Sequence, residues 1–175
     1  KKYKYFHNNK VFGEVYKVQD KTTGEIYAAN FSRPEEIEKH SKQFNRVVNI
    51  LPEINHPSFL KIVGYSKLST DSKHQSVLIT EYFNNKLSDV INDERYNNPH
   101  KGWNETKKLK LIYGIASGMA YLHSKNILHR NLNPDNILLD ESFLPKIRGY
   151  NLLIKLNDKS INKPIKSAAE YMAPE

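Results

Sequence analysis

Residues 127–139 read ILHRNLNPDNILL. An imidazole (His129), a guanidinium (Arg130), three carboxamides (Asn131, Asn133, Asn136) and one carboxylate (Asp135) fall between two apolar runs. A carboxamide donates and accepts hydrogen bonds, but its oxygen is a far poorer base than a carboxylate. A second stretch, PKIRGYNL, sets Arg148 beside Gly149 and carries no acid at all. The carboxamides of such a segment can orient a polar group but are poorly suited to take up a proton. Cysteine is absent, which excludes disulfides and thiolate metal sites.

The surrounding pattern shows what could position these groups. The first half of the chain is strand-like. VFGEVYKV alternates, with Val11, Gly13 and Val15 on one face and Phe12, Glu14 and Tyr16 on the other. TTGE supplies a turn and IYAANF a returning strand. Ser32, followed by Pro34, Glu35 and Glu36, is a helix start; Ile37, Phe44, Val48, Leu51 and Ile54 fit one face of that helix, and His56-Pro57 stops it. FLKIVGY and SVLITEYF are two further apolar strands. In the second half Leu109, Ile112, Ile115, Ala116, Met119 and Leu122 have helical spacing, with Asn104 as the starting cap and Asn126 at the end. NILL and LPKIR read as short strands. The polar stretch from Asn151 to Ala169 reads as a mobile loop.

Strands with one helix, then a long helix, then His-Arg-x-Leu-x-Pro-x-Asn, then a loop closed by Ala173-Pro174-Glu175: this order resembles the eukaryotic protein kinase fold. The resemblance covers essentially all 175 residues. IYGIASGMAYLHSKNILHRNLNPDNILLD and EYMAPE carry most of it, and the wording is closest to the tyrosine-kinase-like group of serine/threonine kinases. It implies an α+β, bilobal fold. Residues 1–83 would form an antiparallel five-stranded N-lobe with one helix, and 84–175 an incomplete helical C-lobe. Kinases continue past Ala-Pro-Glu with roughly ninety more residues. The resemblance therefore implies a fragment of a longer chain, or a truncated one with an exposed apolar face. A start at Lys1 rather than Met is likewise expected to lack the native N-terminus.

In active kinases a Gly-rich loop, a strand Lys, a helix Glu, a loop Asp and two metal ligands together hold ATP and Mg²⁺. The Gly-rich pattern maps onto residues 8–15, where only Gly13 survives, followed by Val15. The strand Lys maps onto Asn30 after Ala28-Ala29, and its helix Glu onto Val47. An unpaired buried charge costs several kcal/mol, so losing both partners is internally consistent. The catalytic base maps onto Asn131 and the following Lys position onto Asn133. Asn136 matches the secondary Mg²⁺ ligand, and the principal metal carboxylate maps onto Gly149. Ser167-Ala168 replaces the family's Gly-Thr.

The packing positions are retained. The apolar stack around adenine maps onto Val15, Ala28 and Leu138, and the lobe-coupling stack onto Leu51, Ile62, His129 and Tyr150. Thr80-Glu81-Tyr82 matches a hinge with a small gatekeeper. The losses thus fall on charged chemistry. The expectation is a pseudokinase that acts as a signalling scaffold or binding module for protein partners, with weak or absent binding of ATP and Mg²⁺. The alternative is a weakly active serine/threonine kinase using Asn136 and Arg148.

Composition narrows the remaining classes. The formal net charge is +8, with 38% hydrophobic residues, enough for a core. The 27 Lys and Arg are spread in runs no longer than two, and asparagine is also abundant at nineteen. The charge therefore reads as compositional bias, and a basic nucleic-acid-binding module is the disfavoured second alternative. No apolar run approaches the roughly 20 residues of a membrane span, and no signal peptide is visible. A cysteine-free chain fits a reducing compartment, so a cytoplasmic setting is expected.

Overall fold

A computed structural model describes residues 3–9, 13–31, 37–66, 76–159, 161 and 169–172. The chain folds as two compact units, Lys1–Pro52 with Lys61–Tyr82, and Glu53–Leu60 with Phe83–Glu175.

The first unit contains β1 (Tyr3–Asn9), β2 (Gly13–Gln19), β3 (Ile26–Phe31), α1 (Ile37–Ile50), β4 (Ile62–Ser66) and β5 (Val77–Glu81). The strands form one antiparallel sheet in the order β1-β2-β3-β5-β4. The β2–β3 turn is organised by Asp20, whose carboxylate accepts the backbone N–H of Thr22 at 2.7 Å and of Thr23 at 2.9 Å. Those bonds favour the ionised form, Thr23 most, and hold the Asp20 carboxyl below its ordinary pKa. Helix α1 buries Phe44, Val47, Val48 and Ile50, and Leu51 is buried just after it. The expected helix start at Ser32, Pro34, Glu35 and Glu36 lies outside the described residues, as do Val11 and Phe12.

The second unit contains β6 (Asn85–Lys86), α2 (Leu87–Arg95), α3 (Glu105–Ser124), β7 (Ile127–Leu128), β8 (Ile137–Leu139), β9 (Pro145–Ile147) and β10 (Ile154–Lys155). Strands β6, β8 and β9 form one small sheet, and β7 pairs with β10. Residues 53–60 join this unit through β9. Leu60 N donates to Ile147 O at 2.9 Å, and Ile147 N to Ser58 O at 2.6 Å. A core of Leu87, Val90, Leu111, Ile137, Leu139 and Phe143 ties α2 and α3 to the β8–β9 hairpin.

Helix α3 starts at Asn104, whose side chain accepts the Lys107 N–H at 3.0 Å. It ends where Asn126 adopts a left-handed φ of 55°, a conformation Asn tolerates. Two glycines let it approach β9 closely. A Cβ on Gly114 would stand 2.6 Å from Pro145 Cγ, and one on Gly118 would stand 3.0 Å from Ile147 Cδ1.

Leu109, Ile112, Ile115, Ala116, Met119 and Leu122 all lie on α3, the helix their spacing predicts, but they do not share one buried face. Leu111, Gly118 and Leu122 are buried, whereas Leu109 and Ile112 are 67% and 62% exposed and Ala116 is also exposed. The helix is apolar on two sides, so periodicity alone cannot choose between them. One sequence expectation needs correction: no loop begins at Asn151. Leu153 and Ile154 are fully buried, and Ile154 pairs with Leu128. The apolar run LLI outweighs the polar composition around it.

Candidate functional site

The candidate residues divide between the two units. In the first, strand register places four of them on one sheet face. Val15 lies opposite Asn30, and Ala28 lies opposite both Lys17 and Thr80. Directly opposed residues share a face, as do residues two apart in a strand. Val15 is buried and Thr80 is 2% exposed, its hydroxyl donating to Glu81 O at 3.1 Å. Asn30 donates through Nδ2 to Leu78 O at 3.2 Å. Its short side chain is tied to the neighbouring strand and carries no charge. Val47 on α1 is 0% exposed. A carboxylate there would be desolvated, whereas valine is stabilised by burial by roughly 1.5–3 kcal/mol.

The end of β5 is held by backbone contacts. Lys61 N donates to Glu81 Oε1 at 2.7 Å, so this carboxylate braces the β4–β5 edge. Lys17 Nζ lies 4.7 Å from the centroid of the half-buried Tyr82 ring. Gly13 pairs with Asn9 at the start of β2.

In the second unit, the segment between β7 and β8 holds the carboxamides. His129 is its anchor, with 1% exposure. Asn131 N donates to His129 Nδ1 at 3.3 Å, which leaves Nε2–H to donate to Arg148 O at 2.8 Å. Burial pushes the His129 pKa down to about 4, opposed by the bond to Arg148 O. The ring is therefore a neutral strut between the loop and the end of β9.

Around it the asparagines satisfy one another. Asn131 Nδ2 donates to Asn151 Oδ1 at 3.0 Å, and Asn133 Nδ2 donates to Asn131 Oδ1 at 3.3 Å. Asn133 Oδ1 accepts the Asn136 N–H at 3.1 Å, capping the turn Pro134–Asn136. Asn136 Nδ2 donates to Asn131 O at 2.8 Å. Arg148 Nη2 donates to Asp135 O at 3.1 Å, and Arg148 N to Asn136 O at 2.9 Å. Asp135 itself is exposed and takes the Ser88 hydroxyl at 2.8 Å. Leu138, in β8, is buried. Tyr150 anchors the following turn, its hydroxyl donating to Leu60 O at 2.5 Å.

Gly149 has a left-handed φ of 95°. Magnesium prefers oxygen ligands in near-octahedral geometry, with one or two carboxylates. The position offers none, and the described residues contain no group of three or more His, Cys, Asp or Glu able to hold a metal. The residues present do not fit a magnesium ion. What the cluster can do is hold a loop rigidly through amide hydrogen bonds.

The structure thus brings Asn131, Asn133 and Asn136 into one network. It adds Asn151, from the stretch expected to be a loop. The only signal for Asn151 in the sequence is its place two residues after Gly149. Ser167, Ala168 and Ala173–Glu175 lie outside the described residues.

The family model described as "Protein kinase domain" matches residues 11–175. The chain is 35% identical over 177 aligned residues to an Aurora kinase of Saccharomyces cerevisiae, covering 94% of this chain and 43% of that protein. It is 35% identical over 173 residues to an Arabidopsis thaliana protein named "Probably inactive leucine-rich repeat receptor-like protein kinase", covering 94% of this chain and 16% of that one. A serine/threonine-protein kinase of Arabidopsis thaliana is 29% identical over 167 residues, covering 94% of this chain and 34% of its own length. The chain therefore spans less than half of each of these relatives.

Proposed function

The chain belongs to the protein kinase domain family, and on that premise we propose that it is a catalytically deficient member, a pseudokinase. Family members generally use ATP and Mg²⁺. The observation that carries the proposal is the amide network. At the base position Asn131 gives its Nδ2 hydrogen to Asn151 and its oxygen accepts from Asn133, so a side chain unsuited to proton transfer is also engaged. Asn30, Val47 and Gly149 extend the same loss to the phosphate and metal positions. The domain serves as a signalling scaffold or binding module for protein partners in the cytoplasm, and the wording of its motifs supports membership of the tyrosine-kinase-like group. One of the relatives named above bears the words "Probably inactive" in its name, which is compatible with this reading.

The enzyme reading is a weak serine/threonine kinase, favoured by relatives named as kinases. It would rely on Asn136 and Arg148. Both groups are engaged locally, Asn136 with Asn131 O and Arg148 with Asp135 O. Radiolabelled phosphate transfer to generic substrates separates the readings. The pseudokinase stays at background, as does its Asn136→Ala, Arg148→Ala double variant. Transfer by the unaltered protein that the double variant abolishes would establish the weak kinase instead.

A further inference from the structure

Helix α3 and the β8–β9 turn flank a groove of about 420 Å³, within the range of built binding sites, about 300–1,000 Å³. It lies wholly within the second unit. Leu109 and Tyr113 stand one turn apart on α3 and line one side, 67% and 76% exposed. Leu144, 41% exposed, and Pro145 line the other, and Pro57 adds a third apolar surface. Single exposed apolar side chains are ordinary; several converging on one concavity mark an interaction site. The groove is also preformed. Gly114 lets α3 lie directly against Pro145. Asp140 Oδ1 accepts the Ser142 N–H at 2.8 Å and the Leu144 N–H at 2.9 Å, which fixes the turn. Phe143, in the same turn, is buried, with its ring 5.3 Å from that of Trp103. Rigid walls lower the ordering cost of binding. The charge is one-sided. Asp140 is the only acid among the lining residues, and it is committed to its own turn. Lys110 is exposed and forms no ion pair among the described residues. Lys146 Nζ donates to Pro57 O at 3.0 Å, which leaves the ammonium further hydrogens for another acceptor.

We propose that this groove docks a short segment of a partner protein in which two bulky apolar side chains stand beside an Asp or Glu. The apolar side chains lie between Leu109 and Tyr113 on one side and Leu144 and Pro145 on the other, and the carboxylate meets Lys110. The proposal rests on the reading of the domain as a binding module and names where on it a partner sits. Apolar contact supplies the affinity, with the Tyr113 ring as its main anchor. The ammonium groups turn away basic segments.

The experiment selects a random-peptide phage library on the protein at its native length. A synthetic copy of the most enriched peptide is then titrated by fluorescence anisotropy against the unaltered protein, Tyr113→Ala, Leu144→Ser and Lys110→Glu. Enriched peptides carry apolar pairs beside an acid. Each variant weakens binding by about tenfold. The same peptide with its acid replaced by Lys binds the Lys110→Glu protein more tightly than the unaltered one. No enriched family, enriched peptides without an acid, or affinities that all three variants leave unchanged would each overturn the groove. Three other occupants would overturn it too. A dimer in sedimentation that Tyr113→Ala disperses assigns the groove to a second copy. A Tm drop of roughly 5 °C or more in Tyr113→Ala assigns it to another segment of the same chain. Binding of a labelled single-stranded oligonucleotide, lost in Lys110→Glu, assigns it to nucleic acid. Peptides that bind but ignore the three variants would leave the binding-module reading standing without this site. Measured phosphate transfer would remove the pseudokinase reading and leave the groove standing.

Discussion

At the scale of single residues, the candidate site has exchanged charge for amide hydrogen bonds. His129 remains as its neutral strut, and its titration gives a direct prediction. Its pKa in the folded protein is about 4, below the ordinary value of 6.5. Above pH 6.5 the ring is neutral in both states and its full contribution is present. As pH falls from 6.5 towards 4 the unfolded chain takes up the proton and the folded chain does not, so stability drops by an amount on the order of 3 kcal/mol. Below pH 4 this loss levels off. Urea unfolding between pH 7.5 and 4 checks it, and His129→Phe removes most of that dependence. An equal slope in the variant would assign it to other groups. The positions of Asn131, Asn136 and Gly149 were legible in the sequence because the stretches ILHRNLNPDNILL and PKIRGYNL align with a known pattern. The bond from Asn131 to Asn151 and the bond from Arg148 to Asp135 O were not. Both are set by how two loops meet through space.

At the scale of elements, α3 carries the clearest prediction. Its buried side holds Leu122, fully inaccessible, and its other side exposes Leu109, Ile112 and Tyr113. A groove of about 420 Å³ beside that outer side is lined by Leu109, Tyr113, Gly114, Leu144 and Pro145, among others. Leu122→Ala is expected to cost about 2–5 kcal/mol through loss of packing and the cavity left behind. Ile112→Lys changes stability by about 0.5 kcal/mol or less, because the side chain is largely exposed. Asn104→Ala removes the bond to the Lys107 N–H and costs about 1 kcal/mol. Chemical denaturation of the three variants orders them; an Ile112→Lys loss as large as that of Leu122→Ala would contradict the assigned faces. Strands β2 to β5 were legible from alternation and turn residues. Strand β1 and helix α2 were not, since α2 shows only Leu87 and Val90 as buried anchors. Two-residue strands such as β7 and β10 leave no periodic signal at all.

At the scale of the whole molecule, packing positions persist while charged positions are lost. Val15, Leu138, Leu51, His129 and Tyr150 are buried in their respective units, whereas Asn30, Val47, Asn131 and Gly149 stand where charge was expected. Nucleotide should therefore find apolar contacts and little to hold its phosphates. In a thermal-shift titration with ATP, a ligand at 100 times its Kd would stabilise by about 2.7 kcal/mol. The expected shift is small and unchanged when Mg²⁺ is chelated; a large shift lost on chelation would show a working metal site. The central claim is that the deficiency is distributed over several positions and not confined to the base. The most direct test is phosphate transfer by Asn131→Asp in the protein at its native length. A restored base acts only on a substrate facing a correctly held phosphate, and Asn30 and Gly149 supply neither the Lys nor the metal carboxylate. Transfer at background is the predicted result. Robust turnover from that single substitution would contradict the account, because it would mean that only one residue separated this chain from an active kinase.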